Sequence, residues 1–132
     1  MDQRLVKQVL ESLLPKLEPT FIIIFGSHAK RINRSDSDLD IAFYKENGNF
    51  LPYDLFILSQ ELADFLKTEV DLIDLREAST VFAAQIFSEG EVIYSQDENI
   101  RIREQMKALS MYVKLNEDRT ELLDRIDERG SV

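Results

Sequence analysis

Asp38-Leu39-Asp40 sets two carboxylates two residues apart at the head of an alternating run, in which Leu39, Ile41 and Phe43 interleave with Asp38, Asp40 and Ala42. Strict alternation marks a strand, and residues two apart in a strand project from the same face. Like charges this close repel each other unless something positive lies between them, and a hard divalent cation with oxygen ligands, such as Mg²⁺, is the natural neutraliser. A third acid, Asp71, stands in Glu69-Val70-Asp71-Leu72-Ile73-Asp74 with apolar neighbours on both sides. That is a costly place to bury a carboxylate without a counter-charge. If the strands carrying Asp38 and Asp71 are neighbours, their carboxylates can converge on one metal pair. Asp74 is an odd number of positions from Asp71 and should point to the opposite face, so it is left out.

Upstream, Phe21-Ile22-Ile23-Ile24-Phe25 is a short apolar run ended by Gly26-Ser27. A missing side chain there lets backbone N–H groups approach an anion, and a hydroxyl can donate to a phosphate oxygen. Between residues 35 and 98 the chain has three basic residues, Lys45, Lys67 and Arg76, against fifteen acids, whereas residues 28 to 34 hold Lys30, Arg31 and Arg34. A cationic patch beside a carboxylate cluster suits a triphosphate whose tail is held by cations while metals hold its reacting phosphate. Each part alone has a blander reading: a solvated strand end, a turn or helix cap, a wet loop. Their order and spacing together favour the chemical one. His28 reads as a polar surface residue. No Gly-x-x-x-x-Gly-Lys loop is present, and Asp36-Asp38-Asp40 is not a calcium loop, because Ile41 stands where glycine is needed and Asn47 where the bidentate Glu belongs.

These residues need a scaffold. A chain of 132 residues with 44% hydrophobic content is the size of one domain with a real core. Leu5, Val6, Val9, Leu10, Leu13 and Leu14 fall at helical spacing over 2–14, with Pro15 expected to stop that helix. Residues 21–25 read as a strand buried on both faces, 39–43 as a second strand, 52–67 as a helix packed on a sheet, and 70–75 as a third strand. A short helix over 77–88 and a last strand at 92–94 follow. The expectation is an α+β fold, a small mixed sheet flanked by helices, with residues 1–96 as its core and 97–132 as a C-terminal helical segment of the same domain. Residues 97–128 contain neither Gly nor Pro and could form one helix about 45 Å long, more than such a core needs. Its first half should fold back on the sheet, and its second should meet something outside the chain.

Composition narrows the function further. With 16 Lys and Arg against 25 Asp and Glu, the net charge of −9 opposes sequence-independent binding to long nucleic acid. The absence of cysteine excludes disulfides, thiolate zinc sites and a cysteine nucleophile, and a single histidine excludes a histidine metal cluster. No segment is apolar for long enough to span a bilayer, so a cytoplasmic protein with no membrane partner is expected.

Gly26-Ser27, ten intervening residues and Asp38-Leu39-Asp40, followed by Asp71, resemble the signature of the DNA polymerase β-like nucleotidyltransferases over residues 21–75. The short length is similar to the minimal nucleotidyltransferase (MNT) branch, especially the MntA antitoxins that pair with HEPN-domain ribonuclease toxins. Val70 to Arg76 and Ser110-Met111-Tyr112 add to the likeness. One departure is Arg31, where relatives often have glycine. The resemblance implies transfer of AMP from ATP to a tyrosine hydroxyl of a cognate HEPN toxin, silencing it within a hetero-oligomer. It also implies Asp38, Asp40 and Asp71 as catalytic metal ligands for two Mg²⁺ ions, and Gly26, Ser27, Lys30, Arg31 and Arg34 as nucleotide contacts. An alternative is an antitoxin that acts by covering its toxin, with the acidic surface imitating RNA and the terminal helix as interface. An aminoglycoside-type adenylyltransferase fits less well, since those relatives carry a further helical domain for the acceptor.

Overall fold

The computed structural model describes residues 2–26 and 38–130, with side chains as far as residue 124. Its frame is a four-stranded sheet of β1 (Phe21–Phe25), β2 (Leu39–Tyr44), β3 (Val70–Asp74) and β4 (Glu91–Ser95), in the order β3-β2-β1-β4. β1 pairs antiparallel with both β2 and β4, while β2 and β3 run parallel, so the sheet is mixed. A parallel neighbour requires a crossover, and α2 (Pro52–Leu66) supplies it between β2 and β3. The remaining helices are α1 (Gln3–Leu17), α3 (Thr80–Glu89) and α4 (Glu98–Gly130), with a short 3₁₀ turn at Leu75–Glu77.

Strand alternation sorts the apolar residues into two cores. Ile22, Ile24, Leu39, Ile41 and Phe43 pack on one face with Val9, Leu13 and Leu17 of α1 and Leu62 of α2. Phe21, Ile23, Ala42 and Tyr44 pack on the other with Leu75 and Ile86, with Phe82, Phe87 and Ile100 against them. β1 and β2, sandwiched between these layers, are almost wholly buried, which accounts for the unbroken apolar run of β1.

The observed boundaries shift by one residue at the ends of β2 and β3, where Tyr44 joins the strand and Leu75 enters the 3₁₀ turn, and differ further from the sequence expectation in three places. α1 runs through Pro15 to Leu17 instead of stopping at the proline. A proline in the last turn forfeits one backbone hydrogen bond, and the turn is held by burying Leu17 and by Glu18, whose N–H donates to Leu14 O at 3.0 Å. The helix expected over 77–88 begins at Thr80, because Ser79 caps it by accepting from the Phe82 N–H at 3.2 Å and the preceding residues form the 3₁₀ turn. β4 is longer than 92–94, paired against β1 from Glu91 to Ser95.

α4 has two regimes. Its first half lies on the sheet face shared with α3, with Ala108 buried, and is tied to the end of β2 by a polar clamp. The Tyr44 hydroxyl donates to Glu46 at 2.6 Å, and Arg103 Nη2 donates to the same carboxylate at 2.7 Å. Burial, together with that bond to Glu46, pushes the Tyr44 phenol up to about 12, while Tyr44 and Arg103 hold the Glu46 carboxyl below its usual range. Beyond Met111 the helix leaves the body: from Ser110 to Asp124 every side chain except Leu115 is exposed, Met111 still bordering the body. Among the described residues no helix is long and apolar enough to cross a membrane.

The contrast between sandwiched strand and overhanging helix is measurable. Phe43→Ala should cost about 3–5 kcal/mol in denaturant unfolding of the isolated chain. Leu122→Ala and Leu123→Ala should each stay within about 0.5 kcal/mol. A loss at Leu122 comparable to that at Phe43 would mean that the overhang is packed against the body.

Candidate active site

Three strand ends meet at one border of the sheet: the close of β1 at Phe25-Gly26, the start of β2 at Asp38-Leu39-Asp40, and the start of β3 at Glu69-Val70-Asp71. The parallel register aligns Asp40 with Asp71 and Leu39 with Val70. Residues opposite each other in a sheet share a face, so the carboxylates of Asp40 and Asp71 project together, on the side of Ala42 and Ile73 that carries α3 and α4. The expectation that the strands of Asp38 and Asp71 are neighbours is met. Asp74, aligned with Phe43, falls on the opposite face.

Asp38 lies just ahead of β2 and is exposed, as is Asp71, whereas Asp40 is half-buried. One rung outside the Asp40–Asp71 pair, Asp38 stands beside Glu69. The Leu39 N–H donates to Glu69 O at 2.8 Å, and the Asp38 and Glu69 carboxyls share a hydrogen bond. That bond, with the negative charges of Asp38 and Asp71, raises the Glu69 carboxyl above its ordinary value. The border of the sheet is therefore a two-by-two array of acids. Among the described residues, no three of these groups converge closely enough to form a ready metal cluster. The Asp40–Asp71 pair and the Asp38–Glu69 pair are brought together; a single three-acid cage is not.

Sequence reasoning misses Glu69. A signal for it exists: Glu69 precedes Asp71 by two residues, as Asp38 precedes Asp40, and two such pairs on adjacent parallel strands must form adjacent rungs.

Gly26 closes the site from the β1 side. It adopts φ +77°, a left-handed conformation that side chains rarely accept, and a Cβ there would collide with Asp40 Oδ2. Glycine is thus required twice, for the bend and for the close approach of backbone to carboxylate. Phe25, directly opposite Asp40, is fixed by an edge-on contact with Phe82 of α3, ring centroids 5.7 Å apart. Ser27, His28, Lys30, Arg31 and Arg34 lie outside the described residues.

The donor set suits a hard divalent cation. Four carboxyls on neighbouring rungs offer only oxygen ligands, and their mutual repulsion, which raises the Glu69 carboxyl, is what a cation between them would relieve.

Comparison with known proteins places this arrangement. The chain matches the family described as "Polymerase beta, Nucleotidyltransferase" over residues 7–99. It is 30% identical over 128 residues to the protein adenylyltransferase MntA of Shewanella oneidensis, a match spanning 96% of this chain and 88% of that protein. Among solved structures, it resembles the MNT antitoxin complex with the tri-AMPylated Shewanella oneidensis HEPN toxin, with a TM-score of 0.79 and 28% identity over 96% of this chain and 98% of the other. A toxin–antitoxin structure with AMP-PNP gives a TM-score of 0.76 and 29% identity over 96% and 98% of the two chains. With strand order, acid pairs and glycine bend in place, and a family match across most of its length, the chain belongs to the polymerase β-type nucleotidyltransferases.

Proposed function

We propose that this protein is a cytoplasmic antitoxin that transfers AMP from ATP to a tyrosine hydroxyl of a cognate HEPN-type toxin and so neutralises it. The observation that carries this reading is the in-register pair Asp40 and Asp71, set against the left-handed bend at Gly26. Its likeness to an adenylyltransferase, and to complexes with an AMPylated toxin and with AMP-PNP, supports the nucleotide, the reaction and the partner class.

Each side chain has a task. Asp38, Asp40 and Asp71 would hold Mg²⁺, and the metal when bound supplies charge neutralisation at the phosphates and lowers the pKa of the acceptor hydroxyl. Gly26 lets the backbone come close to the phosphate tail, and Ser27, Lys30, Arg31 and Arg34, next in the chain, would contact its oxygens. Asp71, exposed at the border of the sheet, is the group an acceptor hydroxyl can reach, and it takes that proton as the oxygen bonds to the α-phosphorus. The bond from that phosphorus to the bridging oxygen breaks, and pyrophosphate leaves. A tyrosine hydroxyl, with a pKa near 10, needs such a proton acceptor at neutral pH.

The exposed half of α4 favours a docking role beside the catalytic one. Tyr112, Leu115 and Leu122 recur at intervals of three and seven residues, with Arg119 between the last two, a seam suited to a helical partner. Neutralisation by docking alone is the second reading.

Mass spectrometry of the toxin after incubation with the native chain, ATP and Mg²⁺ should show added AMP. Asp40→Asn and Asp71→Asn should each lower transfer by about 10²-fold or more with the complex intact. Unmodified toxin from native complex would overturn the transfer. If the Asp38→Asn, Asp40→Asn double variant still protects cells, docking suffices. Leu122→Asp with Leu123→Asp should weaken the complex without slowing the chemistry of bound toxin, as read by co-purification and single-turnover assay.

The acid array also predicts a linkage. Glu69 binds its proton more tightly folded than unfolded, so repulsion in the array is absent below the unfolded carboxyl value and sets in as pH rises through the folded one. Glu69→Gln should therefore raise the thermal midpoint at pH 7 and leave it unchanged at pH 4. Millimolar Mg²⁺ should raise the native midpoint at pH 7, and this gain should shrink in Asp40→Asn and Asp71→Asn. Equal Mg²⁺ stabilisation in both variants would place the cation elsewhere.

A further inference from the structure

A cleft of about 380 Å³ opens between the 3₁₀ turn, α3 and α4, a size at the lower end for small-molecule sites. Ala78, Ala83 and Ala108 line it, and their short side chains leave the gap that larger residues would fill. Leu75, Phe87 and Met111 give it apolar walls, while Arg76 and Lys107, from the 3₁₀ turn and α4, also line it. Neither cation is in an ion pair among the described residues. Arg76 acts on Glu46 only through longer-range attraction, and on the Asp74 carboxyl through its backbone N–H and the same attraction.

Most cations among the described residues have no salt bridge, and these two are set apart by bordering the same cleft. Glu104 is the acid in the lining, and Arg103, which also binds Glu46, holds it at 3.0 Å. The hydroxyls of Ser79 and Thr80 add short polar groups to the same cleft. Two cations without a salt bridge among the described residues, beside an apolar slot, are complementary to an anion joined to a flat ring.

We propose that this cleft binds a nucleoside monophosphate unit, with its phosphate between Arg76 and Lys107 and its base against Phe87, Leu75 and Met111. It is separate from the transfer site. Tyr44, which lines the cleft, lies four residues beyond Asp40 on β2, about 13 Å along the strand at roughly 3.3 Å per residue. The unit held here is therefore not the one undergoing transfer. It has two possible sources of one chemistry: free AMP, or an AMP unit already attached to the partner. The second source rests on the transfer proposed above; the first does not.

The test is titration of the full chain with AMP in the absence of Mg²⁺, followed by amide NMR, with inorganic phosphate as the comparison. Shifts should concentrate at Ser79, Thr80, Lys107 and Ala108, and AMP should bind at least tenfold more tightly than phosphate. Arg76→Gln with Lys107→Gln, both exposed positions, should weaken AMP at least tenfold and leave the melting temperature and Mg²⁺–ATP binding at the acidic border unchanged. A parallel arm compares the affinity of native and doubly substituted chains for AMP-modified and unmodified partner. A loss confined to the modified partner identifies the attached unit as the ligand, and a loss with free AMP alone identifies the free nucleotide. Shifts confined to Gly26, Asp40 and Asp71, equal affinity for AMP and phosphate, or undiminished binding of both sources by the double variant would overturn the proposal. The free-AMP arm involves no transfer, so failure of the catalytic reading leaves it standing.

Discussion

Parallel pairing of β2 with β3 is the constraint on which the site depends. It sets Asp40 beside Asp71 and brings Asp38 next to Glu69, concentrating negative charge at one border of the sheet. That pairing is maintained from the opposite face, where Leu39, Ile41, Phe43 and Val70 are buried with α1 and α2. A slip of one residue would turn Asp71 toward that core and expose Leu72 in its place, so hydrophobic burial on one side fixes carboxylate position on the other. The repulsion within the array is sustained by a core that does not contain it.

The third wall of the site is backbone. Gly26 comes so close to Asp40 that no side chain fits between them, and its left-handed φ turns the chain away from the sheet immediately after β1. Phe25 is held by Phe82, so α3 bears on the site although none of its residues carries charge there. The border presents a strand, a left-handed bend and two acids in register, an arrangement of the kind that can preorganise phosphoryl transfer.

α4 links the site to the world outside the chain. The Tyr44–Glu46–Arg103 clamp fixes its first half against the end of β2, opposite in strand direction to the acid border, and a single helix then carries that orientation into the exposed overhang. A partner gripped by the overhang would therefore be positioned relative to the sheet by one rigid element. Transfer and docking are compatible on this frame, because the acids and the overhang use different residues.

Local pattern made much of this visible beforehand. Alternation over 38–43 disclosed a strand and a shared face for Asp38 and Asp40, the apolar run 21–25 disclosed a strand covered on both sides, and the absence of Gly and Pro from residues 97 to 128 disclosed the long helix. These signals are short-range: a strand's period and a helix's tolerance for residues are properties of a few neighbouring positions. Tertiary structure decided what depends on separate segments meeting. Burial of Leu17 carried α1 through Pro15, strand register made Glu69 a neighbour of Asp38, and the packing of α4 on α3 opened the cleft at Arg76 and Lys107. Which residues could do chemistry was written in their order along the chain. Which of them face one another was settled only by long-range pairing, because distance in space is set by the sheet and not by spacing in sequence.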